Sequence, residues 1–403
     1  MQELLIEDFT LADLLQPETL ANPYPTFRKL RQAAPVCYDT KGLGWIVSRY
    51  DDVSFVLSDR RFSAERIASR AAASYQMSPV EAALSRQMLF LDPPDHTRLR
   101  SFFTKAFTPR RMESLRPEVQ LITKTLLDEA EQRIDAFDFI HEVAVPLPVI
   151  VIAQMLGVPT SDRDQLRAWS VAFGKLINGR SLSADESKEA QQGVLAFIGY
   201  FRALIEDRRK KPANDMLTDL IAVEELGDHL STEELIVNLI LLLAAGHGTT
   251  THLLGNGLLA LLQHPEEWRS LIADPTIAPS AVTELLRFDG PVQATTRESL
   301  EEVQVGATMI PRGEKVTVLL GSANRDEAHF PEPDTLNLRR SGPRLLSFGH
   351  GIHTCLGAAL ARMEAQIAFT ELALRFPSCR LIFLPERTQS VNFRGLQRLM
   401  IQL

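Results

Sequence analysis

The stretch FGHGIHTCLG, residues 348–357, places one cysteine inside a glycine-rich loop. From Leu356 onward, apolar residues recur at three- and four-residue spacing among Ala, Glu and Gln, which predicts a helix beginning beside Cys355. A helix N-terminus favours a thiolate over a thiol, because the helix dipole and the free backbone N–H groups stabilise an anion. The loop glycines carry no Cβ, so the backbone can turn tightly against a flat ligand. The stretch therefore predicts a metal-binding thiolate.

Other interpretations of this cysteine differ in the spacing that they require. The chain has no C-x-x-C and no C-x-x-C-H, which argues against a zinc knuckle, a thioredoxin-type pair and covalent c-type haem, and leaves a buried, inert cysteine as the alternative. The stretch resembles the haem-binding loop of the cytochrome P-450 family, F-G-x-G-x-H-x-C-x-G, at every fixed position. The resemblance implies haem b (iron protoporphyrin IX), with Cys355 as the iron ligand and Phe348, Gly349 and Gly357 at the cofactor.

Haem carries two propionates, so its pocket needs cationic donors, preferably arginines. His96 and Arg100 resemble the H-x-x-x-R element of the family's C helix, where i,i+4 spacing puts both on one face. Arg297 and His353 are the other two residues that the resemblance places at the propionates. Four other histidines are predicted to have structural or solvent-facing roles: His141, His229, His264 and His329.

The segment Glu284-Leu285-Leu286-Arg287 resembles the family's E-x-x-R pair, an internal structural element behind the haem loop. Spacing of i,i+3 puts both charges on one helix face. The alternative is an exposed ion pair worth under about 1 kcal/mol. The third member of this cluster is normally an arginine in an F-x-x-P-x-R segment, where this chain has Thr335. We expect either an incomplete cluster or completion by Arg339 or Arg340.

A long apolar run follows Ser231-Thr232-Glu233-Glu234, a capping-box pattern. We predict a helix over 232–263, ending near His264-Pro265; at roughly 30 residues it would span on the order of 45 Å. Asn238 and the segment GHGTT interrupt the run before about 20 continuous apolar residues accumulate, so a membrane span is not predicted.

Within this helix, Ala245-Gly246-His247-Gly248-Thr249-Thr250 resembles the family's oxygen-activation motif, [AG]-G-x-[DE]-T-[ST]. The resemblance implies that Ala245 and Gly246 leave room for oxygen beside the haem and that the Thr249 hydroxyl delivers protons through water. Gly248 stands where the motif has an acid. A mid-helix glycine costs about 1 kcal/mol relative to alanine, so the replacement has no evident stability rationale.

Three hypotheses account for Gly248. It is an engineered substitution, or a natural variant in which water, His247 or a substrate hydroxyl carries protons, or the mark of an enzyme that uses peroxide or rearranges an oxygenated substrate. Each hypothesis predicts poor coupling between electron consumption and product.

Length and periodicity predict a mainly α fold with small β-sheets (α+β). The 403 residues contain no linker or repeat, so we expect a single domain, 1–403. The resemblance implies the cytochrome P-450 fold, a triangular helical prism with a long central helix, a β-rich portion at about 30–60 and a helical core at about 95–290 and 355–376. Further helical patterns cover 119–131, 162–208 and 356–376. Strand-like patterns cover 35–38, 44–48, 315–320 and 398–403.

Net charge and cysteine content indicate which kinds of partner and which cellular compartment to expect. A net charge of −8 argues against nucleic acid. Between His96 and Met112 lies an acid-free basic patch, to which the resemblance assigns an acidic ferredoxin or flavodoxin; it contains Arg98, Arg100, Lys105, Arg110 and Arg111. Three cysteines without a disulfide framework fit a reducing cytosol, and the acidic N-terminus shows no signal peptide or anchor. We expect a cytoplasmic protein without a membrane anchor, resembling the soluble bacterial branch, and a monomer.

The resemblance places the substrate pocket at 63–91, 168–199, 241–245, 292–294 and 392–393, which are mostly apolar. The pocket residues that we predict are Leu91, Leu241, Ala244, Val292, Ala294 and Phe393. The expected function is a haem-thiolate monooxygenase that hydroxylates or epoxidises a lipophilic small molecule of the secondary-metabolite type, using O2 and two electrons. The alternatives are a peroxide-driven or non-oxygenating haem-thiolate enzyme and, in a different class, a haem-binding sensor without turnover.

Overall fold

The computed structural model describes residues 10–65, 78–133, 136–177, 183–225 and 230–403. Its contacts divide the chain into two compact units. The first contains Met1–Ser63, Thr123–Ala144 and Thr249–Leu403, and the second contains Ala64–Ile122 and Val145–Gly248. The prediction of a single domain over 1–403 stays a prediction.

Helices make up most of the described chain. They are α1 Leu11–Leu14, α2 Pro17–Ala21, α3 Tyr24–Ala33, α4 Tyr50–Ser58, α5 Pro79–Leu84, α6 Asp95–Ala106, α7 Pro109–Ser114, α8 Arg116–Glu131, α9 Pro146–Met155, α10 Arg163–Ile177, α11 Ala184–Lys210, α12 Met216–Glu225, α13 Thr232–Gln263, α14 Pro265–Ala273, α15 Ala278–Phe288, α16 Leu320–Ala323 and α17 Ala358–Arg375. Short 3-10 turns cover Met88–Phe90, Thr160–Asp162, Pro275–Ile277 and Gly351–His353, and a π-turn covers Ile140–Ala144.

The strands of the described residues all lie in the first unit. They are β1 Val36–Asp39, β2 Gly44–Val47, β3 Phe62–Ser63, β4 Phe137–Asp138, β5 Ala294–Ser299, β6 Val303–Val305, β7 Thr308–Ile310, β8 Lys315–Leu319, β9 Arg380–Leu381 and β10 Met400–Gln402. The largest sheet has the order β1-β2-β8-β5-β3, in which β2 and β8 are parallel and the other neighbours antiparallel. Two smaller sheets have the orders β4-β10-β9 and β6-β7.

Strand β8 is central because its apolar side chains are buried on both faces. Val316 and Val318 are fully buried on one face in a core with Val53 and Val56 of α4, and Leu319 is buried on the other face in a core with Leu30 of α3, as expected for a strand covered on both sides. The strand patterns at 44–48, 315–320 and 398–403 contain β2, β8 and β10, and the pattern at 35–38 overlaps β1. Strand β5 was not predicted, because its sequence ATTRES lacks apolar alternation.

The helix bounds follow their local signals. Helix α13 covers the predicted 232–263, and its capping box forms: Ser231 N–H donates to Glu234 at 2.9 Å and Glu234 N–H donates to Ser231 Oγ at 3.3 Å. The pattern at 162–208 contains α10 and α11, with 178–182 outside the described residues. Helix α17 begins at Ala358, two residues later than predicted.

Helix α13 is also the one described helix that is long and apolar enough to cross a membrane. Of its most apolar window, 61% is buried inside the protein. This degree of burial is typical of a helix in a protein core.

Candidate functional site

The cysteine loop is shaped by two glycines with left-handed backbone. Gly349 and Gly351 both have φ of 72°, and a Cβ on Gly351 would lie 2.7 Å from the Leu57 carbonyl oxygen. The loop folds back on itself, because the Cys355 N–H donates to the Phe348 carbonyl at 2.8 Å. The Cys355 side chain is exposed and lies three residues before α17, of which Gly357 is the N-cap. Gly351 and Gly349 thus hold the thiol at a helix N-terminus, as the sequence predicts.

The other two cysteines have different surroundings. Burial raises the pKa of Cys37 to about 11, with a contribution from Asp39, and raises the pKa of Cys379 to about 12. Both stay thiols near neutral pH. Within the described ranges, no cluster of three or more His, Cys, Asp or Glu could hold a metal ion. The donor set therefore fits a cofactor that brings its own nitrogen ligands and takes one exposed thiolate from the protein, which is what haem b requires.

Two arginines contact residues of the cysteine loop. The Arg362 guanidinium lies 5.0 Å from the centre of the Phe348 ring and donates to Thr283 Oγ1 at 2.7 Å. Arg344 donates to Thr354 Oγ1 at 3.3 Å, and this hydroxyl donates in turn to the Gly351 carbonyl at 2.8 Å. Phe348 is thereby held by a cation–π contact.

The four predicted propionate residues are divided between the two units. Arg297 is buried on β5 opposite Val316, and His353 closes the 3-10 turn with its Nε2 buried. Both belong to the first unit. His96 is buried and Arg100 partly exposed on one face of α6, in the second unit. Each unit therefore contains two of the four residues, and their role at the propionates stays a proposal.

The E-x-x-R pair is buried, not exposed on the surface. Arg287 donates from Nε and Nη2 to the two oxygens of Glu284, at 2.7 Å each, and both side chains are almost completely buried. Such a forked pair is stronger than an exposed ion pair. The weaker alternative, a solvated surface pair, is wrong.

Arg340 completes this cluster. Its Nε donates to Glu284 Oε1 at 3.0 Å, whereas Arg339 pairs with the exposed Asp274 at 2.9 Å. Thr335, in the expected arginine position, contributes its carbonyl oxygen, which accepts from Arg287 at 3.2 Å and from Arg340 at 2.9 Å. The guanidinium that reaches Glu284 thus belongs to Arg340, five residues after the position where the family pattern has its arginine.

The oxygen-activation motif lies in the middle of α13. A Cβ on Gly246 would lie 3.3 Å from Ile152 Cγ1, whereas a Cβ on Gly248 would meet no atom within 4 Å. His247 Nδ1 donates to the Leu243 carbonyl at 3.2 Å, and burial lowers the pKa of His247. Ala245 is exposed and Thr249 partly buried. The position of the missing acid therefore has room for a side chain.

Asn238 has a role that sequence reasoning missed. Its side-chain oxygen accepts from the Met88 N–H at 2.9 Å, and Gln87 Nε2 donates to the Val237 carbonyl at 2.9 Å. These bonds attach the 3-10 turn Met88–Phe90 to the N-terminal part of α13, within the second unit. A lone amide in an apolar run was the available signal, since a buried polar group needs a partner.

Two of the predicted pocket residues are neighbours. Val292 and Phe393 form an isolated antiparallel bridge, and the Gln293 N–H donates to the Asn392 carbonyl at 2.8 Å. Ala294 is buried on β5, Leu241 is buried, and Leu91 and Ala244 are partly buried. Residues 66–77 and 178–182 of the predicted pocket lie outside the described residues.

The histidines assigned structural or solvent-facing roles occupy such positions where the structure describes them. His264 Nδ1 donates to the Ala260 carbonyl at 2.7 Å, and His329 stacks on Tyr50 and contacts Asp51 at 3.0 Å. His141 is exposed, and His229 lies outside the described residues.

The basic patch is smaller than the sequence predicts. Arg98 pairs with Asp95 at 3.0 Å and with Glu234 at 2.6 Å, and Arg111 pairs with Asp219. Acids from outside the segment thus neutralise two of its five cations. Lys105 and Arg110 remain exposed.

The fold and the cysteine loop together define a haem-thiolate protein. The family model described as Cytochrome P-450 matches residues 180–378. Among curated proteins, Cytochrome P-450 107B1 of Saccharopolyspora erythraea is 42% identical over 89% of this chain and 89% of its own length. The polyketide biosynthesis cytochrome P-450 PksS of Bacillus subtilis is 39% identical over 95% of this chain and 96% of its own length.

Solved structures agree with these matches. The crystal structure of P-450 BioI in complex with hexadec-9Z-enoic acid ligated acyl carrier protein superimposes with a TM-score of 0.90, at 37% identity over 96% of this chain and 100% of that one. The chain belongs to the cytochrome P-450 family. It is a P-450 monooxygenase, its cofactor is haem b, and the predicted fold is confirmed.

Proposed function

We propose that this protein inserts one oxygen atom into a C–H or C=C bond of a lipophilic acyl or polyketide chain. Haem b with a thiolate ligand supplies the activation of oxygen. The observation that carries the proposal is the exposed Cys355 at the start of α17, held by its N–H bond to Phe348.

The chain's own residues divide the work of binding the cofactor. Cys355 ligates the iron, while Phe348, Gly349 and Gly357 shape the loop around it. Arg297, His353, His96 and Arg100 bind the propionates, because cationic donors form strong charge-assisted hydrogen bonds with carboxylates. Arg297 and His96 are both buried, as donors to a group bound inside the protein are expected to be.

Gly246 and Thr249 act in proton and oxygen handling. The missing side chain of Gly246 lets Ile152 pack against the helix, and the Thr249 hydroxyl holds and passes a proton at Oγ1. Ala245, exposed on the same helix, borders the space where the substrate reacts. Gly248 makes proton delivery the weak step.

The substrate class follows from the pocket and the relatives. The predicted pocket residues are apolar, which favours a lipophilic ligand. One relative is named for polyketide biosynthesis, and one neighbour was solved with a fatty acyl group on its carrier protein. We infer an acyl or polyketide chain, either free or on a carrier protein.

The proposed reaction also needs a partner protein that supplies electrons. Lys105 and Arg110 are exposed near α6 and α7, and the ring of Phe102 lies 5.9 Å from Lys105 Nζ. We assign to this face an acidic ferredoxin or flavodoxin, because opposite surface charges steer association. Cytoplasmic location and a monomeric state complete the proposal.

A peroxide-driven enzyme is the second candidate. Gly248 favours it. Hydrogen peroxide supplies the oxygen and the electrons together, so the enzyme depends less on protons delivered by an acid at this position. Product formed with hydrogen peroxide, but not with a reductase system, would select this function.

The reduced protein treated with carbon monoxide tests the proposal. A strongly red-shifted Soret band that is lost in Cys355→Ser and retained in Cys37→Ser is the expected result. A histidine-type band in the unmodified protein would contradict the assignment of Cys355. Turnover of a lipophilic acid panel with reductase or with peroxide then separates the two enzyme functions, and product from either contradicts a sensor without turnover.

A further inference from the structure

The backbone at Gly395 passes very close to the imidazole ring of His252. An ideal Cβ on Gly395 would lie 2.0 Å from His252 Nδ1, 2.3 Å from its Cε1 and 2.6 Å from its Cγ. The ring therefore fills the space that a side chain at residue 395 would need, and Gly395 is buried. Both residues belong to the first unit. Glycine fits this close approach because it carries no Cβ, and a larger residue fits only if the ring or the backbone moves.

Gly395 belongs to a short segment, residues 392–396, that lies on α13. The Arg394 N–H donates to the Pro291 carbonyl at 2.8 Å, and the Arg394 carbonyl accepts from Asn256 Nδ2 at 2.9 Å. Asn256 is one turn beyond His252, so i,i+4 spacing puts the two side chains on one face of α13. One hydrogen bond and one steric contact, a helical turn apart, thus position the segment on this face.

The same segment carries a predicted pocket residue. Phe393 is partly buried and forms the isolated bridge with Val292. On the other side of the contact, His252 lies three residues after Thr249, and i,i+3 spacing puts these two side chains on one face of the helix. His252 is therefore linked to Thr249 by one helical turn and to the Phe393 segment by its contact with Gly395.

We propose that His252 is a positioning residue for the substrate. The volume of its side chain sets the distance between α13 and the 392–396 segment, and this distance determines which carbon of a lipophilic acyl chain lies beside Thr249. The effect passes through the backbone at Gly395, because a close-packed interior transmits a displacement. His252 itself needs no contact with the substrate. The proposal rests on the proposed function, which supplies the acyl substrate and the roles of Phe393 and Thr249.

The first experiment examines the segment without substrate or turnover. In the holoenzyme, Gly395→Ala adds a methyl group in the space of the ring, which displaces the segment and weakens the bond from Arg394 N–H to Pro291. Hydrogen–deuterium exchange of peptides covering 390–396, followed by mass spectrometry, is expected to become about tenfold faster. Adding His252→Ala removes the ring and is expected to restore the unmodified rate. Equal exchange in the unmodified protein and in Gly395→Ala overturns the proposal.

The second experiment measures where oxygen is inserted. The unmodified enzyme and the variants oxidise tetradecanoic acid, and mass spectrometry of the products gives the ratio of hydroxylation at neighbouring carbons. We expect this ratio to change by about tenfold in His252→Ala and in Gly395→Ala, because displacements on the order of 1 Å alter rates strongly, and to return towards the unmodified value in the double variant. Lower turnover or coupling with an unchanged ratio in both single variants overturns the proposal, since His252 would then act on stability or on protons.

His264→Ala is the matched control. His264 directly follows α13, donates to the Ala260 carbonyl at 2.7 Å and packs edge-on against Phe288, so this change removes an imidazole with other contacts. It is expected to keep both the exchange rate and the product ratio, and an equal change in this control overturns the proposal.

Haem content and the carbon-monoxide spectrum verify that each variant folds. His252→Ala, which only creates space, keeps the test decisive if Gly395→Ala alone does not fold. Absence of product from tetradecanoic acid and other lipophilic acids, with reductase and with peroxide, contradicts the proposed function. The exchange experiment then still decides whether His252 positions the segment.

Discussion

The Tyr24 hydroxyl donates a 2.6 Å hydrogen bond to Asp289, a residue 265 positions later in the chain. Arg394 and Arg387 also donate to Asp289, at 2.5 and 2.8 Å. Arg394 in turn donates to the Leu20 carbonyl at 2.6 Å. One buried carboxylate thus connects the N-terminal helices, the end of α15 and the C-terminal segment of the first unit.

We predict that Asp289→Asn is strongly destabilising. The change leaves the buried Arg394 and the partly buried Arg387 without their anion, and removing one partner of a buried ion pair typically costs about 3–5 kcal/mol. Denaturant unfolding of the holoenzyme measures this loss. Asp128→Asn is the control, because that carboxylate pairs at the surface with Lys124 and Arg375, and each such pair contributes at most about 1 kcal/mol. Similar losses in the two variants would contradict a special role for Asp289.

Acid unfolding provides a separate prediction. Burial alone would raise the pKa of Asp289, but the charges of Arg387 and Arg394 outweigh it and hold the pKa well below the ordinary 3.8. The stabilisation is therefore complete above about pH 4 and is lost as the pH falls further. We expect the free energy of unfolding to fall steeply below pH 4 in the unmodified protein and less steeply in Asp289→Asn, as measured by denaturant titrations across this range.

Glu364 on α17 has the opposite behaviour. Its side chain is buried, one of its oxygens has no hydrogen-bond partner among the described residues, and burial raises its pKa to about 8. The folded protein keeps a proton that the unfolded chain releases above about pH 4.5, so the contribution of Glu364 to stability is largest below that pH and is lost as the pH rises to 8.

The expected result is a flatter pH profile in Glu364→Gln. The unmodified protein loses up to about 1.4 kcal/mol of unfolding free energy per pH unit from this group between pH 5 and 8. The neutral amide removes that slope. Glu371→Gln, on the same helix but partly exposed, is expected to follow the unmodified protein. Parallel profiles for all three would show that Glu364 is ionised when folded.

Two glycines of α13 are predicted to respond oppositely to alanine. At Gly248 the new Cβ meets nothing within 4 Å, so helix propensity alone acts and stability rises by about 0.5–1 kcal/mol. At Gly257 the Cβ would lie 2.5 Å from the Phe369 ring, and overpacking costs about 1–3 kcal/mol. Thermal unfolding of the two variants is the measurement, and a stabilised Gly257→Ala would refute the packing argument.

The adjacent arginines 339 and 340 offer a further matched pair. Arg340→Gln removes the charged hydrogen bond to buried Glu284, with an expected loss of about 1.5–3 kcal/mol. Arg339→Gln removes only an exposed pair, worth at most about 1 kcal/mol. Denaturant unfolding and haem content of both variants check the difference. Equal effects would place the cluster's third member elsewhere.

Much of the fold and the cysteine loop could be predicted from sequence because their signals are local. The bounds of α13 follow from a capping box and the following His264-Pro265, which act over a few residues. The turn before Cys355 follows from glycines at positions of positive φ. Strand β5 was missed because its burial comes from pairing with β8 and β3, which a six-residue pattern does not contain.

The sequence by itself determined the haem-thiolate family, the glycine-rich loop around Cys355 and the missing acid at Gly248, since each is written in consecutive residues. Only the tertiary structure decided that Arg340 and not Arg339 reaches Glu284, and that Asp289 binds both Arg387 and Arg394. Partners so far apart in the chain meet because of how helix faces and chain ends pack. Their burial then determines how strongly the charges interact, and a local sequence pattern does not specify that burial.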